Sequence, residues 1–515
     1  MRRYHGKYHS GTSNGFSGAM RFILFLLFAV ELWAGMSFVV PAADYFVDGL
    51  HGSDSNAGTL IAPFATATKA LSVASSGKVV AVYGGPSCAS RISYHEQATI
   101  PSGVALVGWG GCQPRFDASD AISAAAWSKT GGYTNIYQAP VTTTNAAGVG
   151  FLCVWENGVC GPNFPYVSSL ASLDAATNGY YIASQSAITG TSQTVYVHAT
   201  GSGNPASNAN LYEFNPRLYG IFSAYGVVVS NVQTRRNLYN DGSFAIDKNS
   251  FATDIEADDG GKHNLIVHGG SYFQNISVNN SYYAGQAKNR LVVYDNTPNN
   301  ANVTLVNVSA TETTESGGSI FGHTGSGSFG VVFLTNPNLA AGTGGYSGVA
   351  ANQQIISGGT IADGVSLEDA LNLITGTTVN AQVQVSGATE ISNCTISYTG
   401  ANGAIRSQFA GSSINIHDNT ISTTTAFDSA IRLDATPAAL TVLRNVFPQT
   451  VQISYVAQAF AATVPSNAVI DFNTYHYPGG SNPSNPYGGT NYSLVTQWAA
   501  WQTLGFDVHS TVATP

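Results

Sequence analysis

Ten ionisable side chains crowd one short stretch: Arg235, Arg236, Asp241, Asp247, Lys248, Asp254, Glu256, Asp258, Asp259 and Lys262. Only 9% of the whole chain is Asp, Glu, Lys or Arg, so this crowding stands out. His263 and His268 extend it. Within Thr253-Asp254-Ile255-Glu256-Ala257-Asp258, acids alternate with apolar residues. On a strand this period sends Asp254, Glu256 and Asp258 to one face and Ile255 and Ala257 to the other. Three carboxylates on one face suit two chemistries. They can supply oxygen ligands to a Ca²⁺ ion. Alternatively, a carboxylate pair in this stretch can divide acid and base roles, with Asp258 and Asp254, or Asp241 and Asp247, as the candidate pairs. Lys262, His263, Lys248 and Arg235 are the candidate proton-transfer groups. Arg236, Asp241, Asp247, His268, Tyr282 and Tyr283 are candidate substrate contacts, the tyrosines through their ring faces. The bland alternative is a solvated outer face carrying ordinary ion pairs.

Such a site needs a frame, and a repeat supplies one. Short β-branched runs recur, each closing on Asn: Val227–Asn231, Ile276–Asn279, Thr304–Asn307, Phe333–Asn336, Ile391–Asn393, Ile416–Asn419, Val442–Asn445 and Ile470–Asn473. From Asn279 onward the closing residues are separated by 28, 29, 57, 26, 26 and 28 residues. The 57 reads as two periods, as does the 48 from Asn231 to Asn279. A period of about 27 residues fits one coil of a β-solenoid, whose stacked coils share a core that no single coil can bury. Asn suits the turn because it tolerates left-handed backbone and can bond to its equivalent in the next coil.

Composition agrees. The chain has 515 residues, 44% of them hydrophobic, with abundant Gly and a mean hydropathy of only +0.05. That combination favours strands and tight turns. The net charge of −9 and the lack of a basic cluster exclude an electrostatic nucleic-acid binder. Cys88 with Cys112 and Cys153 with Cys160 are expected disulfides, which suit an oxidising compartment, and Cys394 is expected as a buried thiol. The apolar run Phe22–Val30 and the small residues before Ala43 read as a signal peptide over 1–43, with Met20 as an alternative start. No later run is long and apolar enough to span a bilayer.

Both ends carry a family resemblance. Tyr45-Phe46-Val47-Asp48-Gly49, the loop Gly52-Ser53-Asp54-Ser55-Asn56-Ala57-Gly58-Thr59, and Pro63-Phe64-Ala65-Thr66 follow one another. Ile100-Pro101-Ser102-Gly103, Gly108-Trp109-Gly110-Gly111 and Pro114-Arg115-Phe116-Asp117 come next, and Trp498 to Ser510 closes the chain. This layout resembles the secreted, pectate-lyase-like right-handed parallel β-helix proteins. The resemblance implies an all-β, single-stranded right-handed β-helix over 44–475. It also implies an N-terminal capping helix, a small β-rich insertion at about 155–215, and a C-terminal cap over 476–515 holding His476, Trp498 and Trp501. It further implies an exported protein, extracellular or periplasmic, whose partner is an extracellular polysaccharide; a monomer is expected. Two reactions are then expected. In one, Ca²⁺ on Asp254, Glu256 and Asp258 acidifies a uronate C–H, and Lys262, Lys248 or Arg235 removes the proton in a β-elimination. In the other, a carboxylate pair hydrolyses the glycosidic bond. The alternative is a non-catalytic surface, adhesion or structural β-helix.

Overall fold

Each coil turns a corner at one residue held in left-handed backbone, a conformation that only Gly and, less readily, Asn or Asp adopt easily. Asn231, Asp254, Asn275, Asn307 and Asn336 hold this position in successive coils, all with φ between 52° and 56°. Register pairs the residues on either side of each corner with those of the next coil. Along the corner, the Asn275 amide donates to the Asp254 carboxylate, Asn307 to Asn275 and Asn336 to Asn307, each at 2.9 Å. The corner then passes to Gly358, Gly376, Asn393, Asp418, Arg444 and Phe472.

The protein is thus a right-handed parallel β-helix, here as a computed structural model. It describes residues 41–143, 152–161, 163–183, 192–237, 242–260, 264–281, 291–293, 301–311, 321–322, 329–341, 345–348, 351–367, 371–400, 403–407, 412–423, 430–448, 468–476, 484–487 and 490–513. The apolar run Phe22–Val30, expected as part of a signal peptide, lies outside these residues. One long parallel ladder carries the two strands that flank each corner, and two shorter parallel ladders close the coils. Inward Val, Ile, Leu and Phe from every coil merge into one continuous core.

Three details of the repeat differ from expectation. The 57 residues between Asn336 and Asn393 hold three coils, because Gly358 and Gly376 occupy the corner there without an Asn to mark it. Asn279 is not a corner residue; Asn275 is, and Asn279 points outward beside Asp258. In the last coils Asn419, Asn445 and Asn473 follow the corner and are buried. Asn445 accepts from the Asn419 backbone N–H at 3.1 Å, and Asn473 accepts from that of Asn445 at 2.9 Å. The column ends on Asp507, a buried carboxylate that accepts from Asn473, Tyr475, Trp501 and Ser510. Burial raises its pKa.

At the start of the helix, Thr66 caps the short helix Ala67–Val73 by accepting from the Lys69 N–H at 3.1 Å. Ala67, Ala70 and Leu71 of that helix join the core. At the far end Trp501, on Trp498–Thr503, is fully buried, and Thr511–Ala513 pairs in parallel with Thr474–His476. The antiparallel unit begins earlier than expected, with Asp120–Ala121, and runs to Tyr212–Phe214 around its own core of Trp127, Trp155 and Tyr212. Disulfides Cys88–Cys112 and Cys153–Cys160 are formed, and Cys394 is a buried thiol.

Candidate active site

The site is built on strands Arg115–Asp117, Val228–Arg235, Phe251–Gly260 and Tyr272–Ser281, which are consecutive in the ladder. Ile255 and Ala257 point into the core, which turns Glu256 and Asp258 outward. Register then sets two outer rows. Arg115, Gln233, Glu256 and Ser277 form one, and Asp117, Arg235, Asp258 and Asn279 form the other. Within a row neighbours are about 4.8 Å apart. Arg91 reaches in from the loop after Cys88–Ser90, its Nε 3.0 Å from the disulfide sulfur of Cys112.

Gln233 is the centre of the arrangement and is buried. Its side-chain oxygen accepts from Arg91 Nη1 and from Arg115 Nε, the latter at 2.5 Å. Its amide nitrogen donates to Asp258 Oδ2 at 2.7 Å. Asn279 donates to the other oxygen of Asp258 at 2.9 Å. The Asn279 oxygen accepts in turn from the Thr311 hydroxyl. Glu256 forms an ion pair with Arg91 at 3.6 Å. Burial, together with the nearby Glu256 charge, raises the pKa of Asp258 to about 7, against the opposing pull of the Asn279 and Gln233 donors. Burial and the guanidiniums of Arg235 and Arg91 push Arg115 down to about 10.

Beneath this surface lies a buried ion network. Burial alone would raise the Asp117 pKa, yet the charges of Arg235 and Arg236 hold it below the usual carboxylate value. Arg235 Nε sits 2.6 Å from Asp117, and Arg236 Nη1 sits 2.6 Å from Glu213. The Arg236 guanidinium also stacks 5.0 Å from the Trp155 ring, tying the antiparallel unit to the helix.

These positions sort the expected residues. Glu256 and Asp258 share the site. Asp254 does not join them, because as a corner residue it breaks the alternation and gives its carboxylate to Asn275 and Thr253. Arg235 borders the site but is paired with Asp117. Arg236, expected as a substrate contact, is corrected to an internal ion pair, since it is only 2% exposed. Asp247 and Lys248 lie in the turn before Phe251–Gly260, at the opposite end of that strand from Asp258. His268 follows Leu265–Val267, one coil on from Asp247. Lys262, His263, Asp241, Tyr282 and Tyr283 lie outside the described residues. Among the described residues no three His, Cys, Asp or Glu side chains converge as a metal cage. Glu256 faces Arg91 and both oxygens of Asp258 face amide donors, so this donor set does not suit Ca²⁺.

Arg91, Arg115, Gln233 and Asn279 escaped the sequence reading. Arg115 belongs to the Pro114–Asp117 segment noted above, and both arginines are conspicuous in so lightly charged a chain. Only the fold brings them beside residues more than a hundred positions later.

No protein-family profile matches the chain, and no curated protein matches it in sequence. Three solved structures resemble it in outline. One, XylC in complex with xylose, has 12% identity, covers 91% of this chain and 85% of that one, and gives a TM-score of 0.46. A glycoside hydrolase has 10% identity, covers 78% and 96%, and gives 0.41. The tailspike protein gp49 from Pseudomonas phage LKA1 has 11% identity, covers 80% and 73%, and gives 0.32. At such TM-scores none of these likenesses assigns a chemistry to this chain.

Proposed function

We propose that the protein is a secreted carbohydrate-active enzyme that hydrolyses glycosidic bonds of an extracellular polysaccharide. Asp258 acts as the general acid and Glu256 as the base or nucleophile. The observation that carries this reading is the unequal pair on one strand face. Asp258, raised to about 7, holds its proton up to near neutrality, while Glu256 on the same face is paired with the Arg91 guanidinium. Carboxyl groups divided in this way are what glycoside hydrolysis requires. The two disulfides fit an oxidising, extracellular compartment. Among the described residues no helix is long and apolar enough to cross a membrane.

A second reading has its own observation. Arg115, lowered to about 10, is a better proton acceptor than an ordinary guanidinium, and β-elimination from a uronate polymer needs such a base. One experiment separates the readings. Purified protein is incubated with a panel of neutral and uronate polysaccharides, and both reducing ends and ultraviolet absorbance from unsaturated ends are followed. New reducing ends without absorbance, lost in Asp258→Asn and Glu256→Gln, support hydrolysis. Rising absorbance, lost in Arg115→Lys, supports elimination. Silence in both channels across the panel overturns the enzymatic reading and leaves a binding or structural β-helix.

A further inference from the structure

We infer that Gln233 is a positioning residue that aims the Asp258 proton away from the amides that hold its oxygens, its own amide orientation being dictated by Arg91 and Arg115. This goes beyond the assignment of Asp258 as acid and rests on that reading only for its catalytic consequence.

The orientation of the amide is forced. A guanidinium donates hydrogen bonds and accepts none. Two of them converge on one end of the Gln233 side chain, so that end is the oxygen. The NH₂ end then faces Asp258 Oδ2. Asn279 takes the matching orientation in the structure, although its hydroxyl partner does not force it. Its oxygen takes the Thr311 hydroxyl, and its NH₂ donates to Asp258 Oδ1. Both oxygens of Asp258 therefore face donors, and neither Gln233 nor Asn279 presents an acceptor to a proton on Asp258. That proton is left to point away from both amides, toward Glu256 or a bound substrate oxygen. A half-buried acid whose hydroxyl finds no acceptor on the two amides that hold its oxygens is poised to donate to whatever enters. The arginines need not touch the reacting atoms to do this, because they act through the amide.

The test uses the whole protein without substrate. The Asp258 carboxyl is titrated by difference infrared spectroscopy, with Asp258→Asn as the blank. Gln233→Met keeps the volume and removes the donor to Oδ2, so the Asp258 midpoint is expected to rise by about one pH unit. Gln233→Glu places a second carboxyl against Asp258, and the two then share a proton. The expected result is a two-step titration spread over more than about two units. Asn279→Ala removes the other donor, raises the midpoint in the same direction, and serves if the Gln233 variants do not fold. An Asp258 midpoint unchanged in the folded variants overturns the inference. If the midpoint moves as expected but wild-type protein cleaves no polysaccharide, the positioning role stands and the proposed function fails. With an active substrate, Gln233→Met is expected to shift the pH–rate profile, which a purely structural role would not do.

Discussion

Replacing Asp258 by Asn should change how stability depends on pH, by an amount that the site itself sets. An unfolded Asp titrates near 3.9, whereas in the folded protein Asp258 titrates at about 7. Between those values the folded state binds more protons than the unfolded state. Stability from this group is therefore fully present below about pH 4, declines as pH rises through the window, and levels off above about pH 7. Three units at 1.36 kcal/mol each give about 4 kcal/mol as a ceiling, and water reaching a partly exposed carboxyl will lower it. Asp258→Asn abolishes the titration. It also adds a constant cost, because one end of the new amide must meet a donor from Gln233 or Asn279. The measurement is urea unfolding of both proteins by tryptophan fluorescence at several pH values from 4.5 to about 8. The wild-type advantage should shrink steadily across that range. Glu256→Gln should flatten the wild-type slope, because the Glu256 charge helps to raise Asp258. Parallel wild-type and Asp258→Asn curves at every pH would refute the reasoning.

Other outcomes follow from the same structure. Arg236→Met leaves the buried Glu213 carboxylate without its cation and should cost about 3–5 kcal/mol in urea unfolding. Reducing the Cys88–Cys112 disulfide, or replacing both cysteines by Ser, opens a loop spanning 24 residues; the expected loss is about 3 kcal/mol, and because Arg91 rests on Cys112, turnover on an active substrate should fall as well. Asn445→Ala removes the acceptor for the Asn419 backbone N–H and should cost about 1–3 kcal/mol, read as a lower urea midpoint. Gly108→Ala would place a Cβ 1.9 Å from the Asn231 carbonyl oxygen, so that variant should melt well below wild type or fail to accumulate as folded protein.

The solenoid is legible in the sequence alone. Recurring β-branched runs closed by Asn mark the stacked coils: Asn231, Asn307, Asn336 and Asn393 meet a local need for left-handed backbone, and Asn419, Asn445 and Asn473 stand one residue beyond it. Where Gly met that need at 358 and 376 the mark vanished, and the count of coils came out one too few. The alternation of Ile255, Glu256, Ala257 and Asp258 likewise placed two carboxylates outward, because strand geometry has period two. The remaining features depend on how the coils stack. Asp254 carries the same kind of side chain as Asp258, but it falls on the corner, where a ladder of amides takes its carboxylate. Arg235 and Arg236 are neighbours in sequence, yet the left-handed backbone at Arg236 carries the two side chains apart, one to the site's edge and the other into the interior. Arg91 and Arg115 enter the site only because coils separated by the whole antiparallel unit stack directly on one another. Inter-coil register is a property of stacking, and the spacing along the chain does not record which side chains it will bring together.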